Sequence, residues 1–243
     1  MLKYIRILTI ILVLSLISIL IYKYRRQIST PQNIIENIVP VPTIIEKNGL
    51  PNIHSIKTTF VPQAPEKKWD EPWQDACEEA ALLTVHYYYQ NLNPNTVTIT
   101  NDLKNLFNFE SSQGWTSDIN VSQMATLSAK LWDYHSIIID YPTVNDFKKY
   151  LSQNIPIIIP ANGKILFSEN SHFKSGGPWY HNLVILGYDD TKNQFTVHDV
   201  GTQFGAYFRY SYSLLISSIH DFPQSLKKED INSGTPRALV LLK

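Results

Sequence analysis

The 243-residue sequence predicts an α+β fold in which a helix bearing the only cysteine packs on an antiparallel sheet. Three observations lead there. Ala76, Ala80 and Leu83, with Cys77, Ala81 and Thr84 beside them, recur at three- and four-residue spacing, which puts them on adjoining faces of one helix. Past residue 151 that period gives way to short continuous apolar runs, Ile157-Ile158-Ile159 and Leu183-Val184-Ile185-Leu186, of the length and composition of buried strands. The runs 181–188 and 194–199 are joined by Asp189-Asp190-Thr191-Lys192-Asn193, a composition that turns a chain back on itself. Helices early and strands late suit one helical layer on one sheet.

Residues 7–22 carry no charge and consist mainly of Ile, Leu and Val. At ~1.5 Å per residue such a run just crosses a membrane core when its flanks snorkel. No small-residue cleavage site follows it, and Lys23-Tyr24-Arg25-Arg26 does, so residues 1–26 read as an uncleaved signal anchor; a cleaved secretory signal is the alternative. Both flanks are basic. The short leading segment with its free amine favours an N-terminus inside and a body outside, giving a single-pass cell-membrane protein whose main domain is extracytoplasmic. Residues 27–55, with Pro31, Pro40, Pro42 and Pro51 and no sustained period, read as a tether, although Ile34-Ile35 and Ile44-Ile45 could pack on the body as short arms.

The body, residues 56–243, is long enough for one substantial core. Thr58-Thr59-Phe60-Val61-Pro62 is strand-like, and a polar loop runs on to Trp69. After the cysteine helix, residues 91–95 form a break and residues 101–107 a short helix. Asn120 caps a stronger helix whose stripe is Val121, Met124, Ala125, Ser128, Leu131 and Trp132. Thr143 with Asp146 forms a capping box for residues 144–151, where Phe147 and Leu151 share a face. Residues 155–160 make a buried strand, Asn162-Gly163 a turn and residues 164–167 a return strand. Residues 238–242 close the chain as a strand.

Composition narrows the function. Five basic residues and no acid lie in residues 1–26, which leaves 16 basic against 21 acidic residues in the rest, a balance of −5 that argues against a nucleic-acid partner. One cysteine forbids an internal disulfide. Phosphate loop, zinc spacing and nucleotide fingerprint are all missing from the sequence, so no metal and no cofactor is expected.

The hairpin supplies the candidate chemistry. His181 starts one strand and Asp199 ends its partner, so an antiparallel pair brings them to one end of the sheet. A helix N-terminus packed there brings Cys77 within reach of the imidazole, the order of nucleophile, base and orienter found in cysteine hydrolases. In the first helical turn, unpaired N–H groups and the helix dipole favour a thiolate. Packing is the competing role, since free cysteines are among the most buried residues. His198 adjoins Asp199 but alternates to the opposite face, and His86 lies too far along the helix to meet the thiol. His172 belongs to a loop beside the cleft, and Asp189 and Asp190 to the hairpin turn. Tyr87, Tyr88, Tyr89, Trp115 and Trp132 read as core and rim, whereas Trp179, two residues before His181, is a candidate for lining a substrate groove.

Gln63-Ala64-Pro65, Trp69, Ala76-Cys77-Glu78-Glu79-Ala80, Ile157-Ile158-Ile159-Pro160-Ala161, the run from Tyr180 to Tyr188, Asp199-Val200-Gly201-Thr202 and Tyr207-Phe208-Arg209-Tyr210-Ser211-Tyr212 together resemble the peptidase C39-like family over roughly residues 56 to 243. The resemblance implies a papain-like fold, with Cys77 as nucleophile, His181 as general base and Asp199 as the residue orienting it. It also implies an oxyanion-hole glutamine: Gln63 matches the family's, and Gln74, one turn from Cys77, is the geometric rival. Val200 stands where the family commonly has proline, and Glu78 where many members have glycine. The expectation is a membrane-anchored cysteine peptidase acting on a peptide or protein without a cofactor. Two other readings stand beside it: a peptidoglycan amidase or endopeptidase of another papain-like clan, and a catalytically silent C39-like peptide-binding module.

The anchor is directly testable. Deleting residues 1–26 is expected to release a soluble, folded body, read by gel filtration and circular dichroism; aggregation of the truncated chain, with the full chain folded in detergent, would show that the N-terminal run belongs to the core.

Overall fold

A computed structural model of the protein describes residues 49–243. The expected anchor at 1–26 and the expected tether as far as residue 48 lie outside the described residues. Among the described residues no helix is long and apolar enough to cross a membrane.

The fold is α+β, built on one fully antiparallel sheet of seven strands. In chain order the strands are β1 (Ile53–Ser55), β2 (His135–Asp140), β3 (Ile157–Ala161), β4 (His181–Asp189), β5 (Gln194–Asp199), β6 (Phe208–Ser211) and β7 (Arg237–Leu242). Side by side they run β2-β7-β3-β4-β5-β6. Strand β4 is the hub. One of its edges takes β3 along residues 181–185 and then β1 along residues 187–189, while the other takes β5. Every residue of β4 from His181 to Tyr188 is buried, as the uninterrupted apolar run requires of a strand covered on both faces.

Helix α1 (Cys77–Gln90) packs against β4. Its first ten residues include only buried side chains apart from His86, and Asn91 ends it in the left-handed region, φ 52°, with its N–H turned back on Tyr87 and Tyr88. Helix α2 (Thr96–Gln113) is far longer than the stretch 101–107 expected from sequence. The β-branched run Thr96-Val97-Thr98-Ile99-Thr100 conceals its first turns, but Asn95 accepts the Thr98 N–H at 3.0 Å, and burial of Ile99, Leu103 and Leu106 at helical spacing overrides the weak propensity. Helices α3 (Val121–Trp132) and α4 (Val144–Leu151) begin at the caps read from sequence; Thr143 with Asp146 forms the expected capping box, and Asn120 forms one too, with Gln123. The buried face of α3 is rotated from the expected stripe: Leu127 is fully buried and Leu131 is 41% exposed.

Other expectations change in the folded chain. Residues 164–167 do not return as a strand. Asn162 accepts the Lys164 N–H at 2.9 Å and starts a single helical turn, α5 (Gly163–Leu166). Thr58-Thr59-Phe60-Val61-Pro62 is no strand either, because the Thr58 backbone bonds to the Tyr207 hydroxyl instead of a neighbouring strand. The strand lies just upstream. Ile53–Ser55, placed in the tether by the sequence reading, forms β1 on β4, and the Ile56 N–H continues that contact to the Leu186 carbonyl at 2.7 Å. Strand β2 carries the apolar run Ile137-Ile138-Ile139, which the sequence reading leaves unassigned, and as an edge strand it keeps Ile137 and Ile138 exposed. Strand β6 leads into α6 (Tyr212–Ser218), capped by Ser211.

Between Ile185 and Gly187 the β4–β5 register shifts, and there β1 crosses closely. A Cβ on Gly187 would stand 2.3 Å from the His54 carbonyl oxygen, a backbone atom with little room to move. Gly187→Ala is therefore expected to cost about 1–3 kcal/mol in urea unfolding through overpacking, with β1 protection from hydrogen exchange lost first; an unchanged midpoint with β1 still protected would refute this close packing.

Candidate active site

The β4–β5 hairpin brings His181 and Asp199 together as the sequence predicts. Leu183 pairs with Asp199 across the ladder, so Asp199 reaches back along the sheet end to His181, and the His181 Nε2 lies 2.9 Å from Asp199 Oδ1. Both side chains are buried. The other carboxylate oxygen, Oδ2, accepts from the Asn170 amide at 2.9 Å and from the Tyr210 hydroxyl at 2.5 Å, and Oδ1 also accepts the Gly201 N–H at 3.2 Å. Burial on its own raises the Asp199 pKa; the His181 charge and the hydrogen bonds from His181, Tyr210 and Asn170 outweigh it and hold the carboxyl below its usual range. With Nε2 donating to a carboxylate, the neutral ring leaves Nδ1 bare, and among the described residues Nδ1 has no hydrogen-bond partner.

The imidazole is also fixed sterically. Gly201 lies so close to the ring that a Cβ there would stand 2.6 Å from His181 Cε1, and Phe173 meets the ring edge-on at 5.4 Å between centroids. Only glycine leaves the imidazole this room.

Cys77 opens α1 on the wall of the same cavity, a space of about 480 Å³ that His181, Gln63, Gln74, Trp69, Phe173 and Phe204 also line. The thiol is 4% exposed. Its hydrogen bond goes to the Glu78 carboxyl, 3.0 Å away at Oε2, and the Asn182 amide approaches the sulfur at 3.8 Å; among the described residues His181 is not its partner. The expected lowering of the thiol pKa does not occur. Burial, the Glu78 charge and the hydrogen bond to Glu78 push it well above the usual range. A helix dipole contributes only about 0.3–1 kcal/mol at an exposed terminus, too little against full desolvation.

The two glutamines separate in the structure. Gln63 is buried and commits both amide hydrogens to backbone carbonyls, of Trp73 at 3.0 Å and Gln74 at 2.9 Å, while its own N–H reaches the Val200 carbonyl. It braces the segment before Cys77 to the turn after Asp199. Gln74 is exposed on the cavity, gives one amide hydrogen to Glu71 and keeps the other free among the described residues. Trp179 does not line the cavity; it lies outside, with the Lys164 ammonium 5.1 Å from its ring centroid. Its neighbours Pro178 and Tyr180 line the space instead.

The remaining histidines divide as their positions suggest. His198 accepts the Tyr207 N–H at Nδ1 and has Nε2 3.3 Å from the Thr58 carbonyl, and burial pushes its pKa down to about 4. It is a neutral packing residue. His86 stacks on Trp132, and His172 stacks on Phe204 at the cavity mouth. Asp189 accepts from Thr191 in the turn, and Asp190 pairs with Lys148. Among the described residues no three His, Cys, Asp or Glu side chains converge as a metal site. Asn170 carries no sequence signal; Tyr210 and Asn182 lie in stretches that carry the family resemblance but with no role implied, and Gly201 stands two residues beyond Asp199 in a turn-like run where a close approach could have been suspected.

The model of the Peptidase_C39 like family matches residues 57–222. The chain belongs to that family. Cys77, His181, Asp199, Gln63 and Gln74 all fall inside the matched C39-like region. No curated protein matches the chain. Among solved structures, one from Bacillus anthracis, provisionally named a C39-like peptidase, is similar at 12% identity over 52% of this chain and 60% of that one, with a TM-score of 0.34. That likeness is too slight to carry an argument.

The Asp199 cluster gives a pH-dependent prediction. Tyr210→Phe removes a hydrogen bond to a buried carboxylate and is expected to cost about 1–3 kcal/mol at pH 7. Because the folded pKa is lowered, stabilisation of the ionised Asp199 is present above the unfolded value of about 3.9 and is lost as pH falls through the folded value. The stability gap between wild type and Tyr210→Phe, measured by urea unfolding, should therefore narrow below pH ~3.9; a gap that stays constant or widens on acidification would contradict it.

Proposed function

We propose that this chain is a membrane-anchored, papain-like cysteine hydrolase, a peptidase that cleaves peptide bonds through Cys77, His181 and Asp199. The observation that carries the reading is the buried His181–Asp199 pair, its Nδ1 free, facing a cavity whose wall also holds the only cysteine. Anchoring rests on the uncharged run at residues 7–22.

The chemistry follows from these positions. Once the thiol turns from Glu78 toward the ring, His181 Nδ1 takes its proton, and Asp199 stabilises the imidazolium that results. The thiolate attacks the peptide carbonyl. The developing oxyanion meets the Cys77 N–H, one of the unpaired donors at the start of α1, and the free amide hydrogen of Gln74; Gln63 could join only by releasing a carbonyl it now holds. His181 then gives its proton to the leaving amine, and in the second half it activates the water that releases the acyl group. Phe173, buried and edge-on to the imidazole, shields that side of the ring from water.

A second reading, a catalytically silent peptide-binding module, is favoured by the thiol's contact with Glu78. One experiment separates the two. The full chain in detergent is incubated with a proteome-derived peptide library, and cleavage sites are read by mass spectrometry. Wild type is expected to cleave, Cys77→Ala and His181→Ala to fall to background, and Asp199→Ala to lose at least about 100-fold, while Asp189→Asn and Asp190→Asn in the hairpin turn stay near wild type. No cleavage by wild type favours the silent module. Turnover by Asp199→Ala within about twofold of wild type, roughly 0.4 kcal/mol of barrier, would remove Asp199 from the mechanism.

A further inference from the structure

We propose that Glu78 is a positioning residue for Cys77: its carboxyl holds the thiol in a resting orientation turned away from His181, and the thiol meets the imidazole only by leaving that hydrogen bond. The inference rests on the proposed roles of Cys77 and His181, and it assigns a task to a residue that those roles leave without one.

Glu78 is fully buried at the second position of α1, where a side chain ordinarily faces solvent or caps the helix. Its two oxygens have separate tasks. Oε1 accepts the Ile119 N–H at 3.0 Å, which pins the carboxyl to the segment before α3, and Oε2 lies 3.0 Å from the Cys77 sulfur. So pinned, the carboxyl cannot follow when the sulfur moves. Cys77 and His181 line the same cavity, so rotation about the Cys77 Cα–Cβ bond is the movement that would carry the sulfur toward the ring. His181 Nδ1 is free to receive it.

The charges around the sulfur act in the same sense. Glu78 and Glu79 face it from α1, Asp118 from the segment before α3, and the Tyr180 phenol and His181 from the start of β4. Asp118 is itself engaged by Lys228, 3.0 Å away, which also binds Asp75 at 2.6 Å. Glu78 alone of these acids touches the thiol. Burial raises the Glu78 pKa; once ionised, its carboxylate accepts the S–H proton and stabilises the thiol over the thiolate, so the resting sulfur is a poor nucleophile until it turns.

Cys77 is the only cysteine, so alkylation of the full chain by iodoacetamide across a pH series reports on this sulfur alone. Wild type is expected to label with a midpoint above the ordinary thiol value of about 8.5. In Glu78→Gln the amide oxygen keeps the Ile119 contact and the amide N–H donates to the sulfur, which favours the thiolate. Its midpoint should fall by at least about one unit, which gives roughly tenfold more thiolate at pH 7. Because a less basic sulfur is also less nucleophilic, the labelling rate should rise at least about threefold. Asp118→Asn removes a charge and its pairing with Lys228 but no contact with the sulfur, and should shift the midpoint less. An unchanged midpoint in Glu78→Gln, or an equal shift in Asp118→Asn, overturns the proposal. Should Glu78→Gln fail to fold, Glu78→Asp decides: its shorter side chain cannot span both the Ile119 N–H and the sulfur, so a lowered midpoint supports the proposal and an unchanged one overturns it. Peptide cleavage is scored separately, so a shifted midpoint without cleavage counts against the hydrolase and not against the role of Glu78.

Discussion

Everything in the described residues depends on β4 being buried along its length. A strand covered on both faces and paired along both edges has no solvent-facing side to spend on polar residues, so it is written as one apolar run, and α1, β1, β3 and β5 all take their positions from it. His181 occupies its first position, where the hydrophobic ladder ends and a cavity begins. The same constraint therefore anchors the core and delivers the imidazole.

At that end of the sheet the buried Asp199 carboxylate is stabilised by a closed set of donors: an imidazole, a phenol, an amide and a backbone N–H. A charge in a low-dielectric interior persists only when it is paired in this way. The acids around α1 meet the opposite fate. Burial is the first cause in raising the pKa of Glu78, Glu79 and Glu110, that of Glu110 to about 7, and the nearby Glu110 charge raises that of Glu79 further. These carboxyls carry protons into the fold that the unfolded chain would release, so above the unfolded glutamate value of about 4.3 they oppose folding as pH rises toward their folded values. One end of the sheet thus stabilises an anion while the neighbouring helix start disfavours one, and Cys77 sits where the two environments meet.

Several features were legible in the residues because they are local. The cap at Asn120 and the capping box at Thr143 depend on side chains within one helical turn, and the β4–β5 hairpin on apolar runs flanking a polar turn; each appears where the pattern puts it. The pairing of His181 with Asp199 follows from hairpin geometry alone. Helix α2 was under-read because its first turns are β-branched, and β1 because a three-residue strand leaves no periodic trace. Residues 164–167 turned into a helical turn because Asn162 acts as a cap there.

The sequence by itself determined the α+β class, the cysteine at a helix start and the His–Asp pair on one hairpin, since each follows from spacing along the chain, and its motifs carried the family resemblance. Only the tertiary structure decided which way the thiol points, which glutamine keeps a free hydrogen, that Trp179 stands outside the cavity, and that Asn170, Tyr210 and Gly201 hold the pair in place. Those outcomes depend on contacts between residues up to about a hundred positions apart, such as Cys77 with Asn182. They also depend on the dielectric around each group, which burial sets and no local pattern encodes.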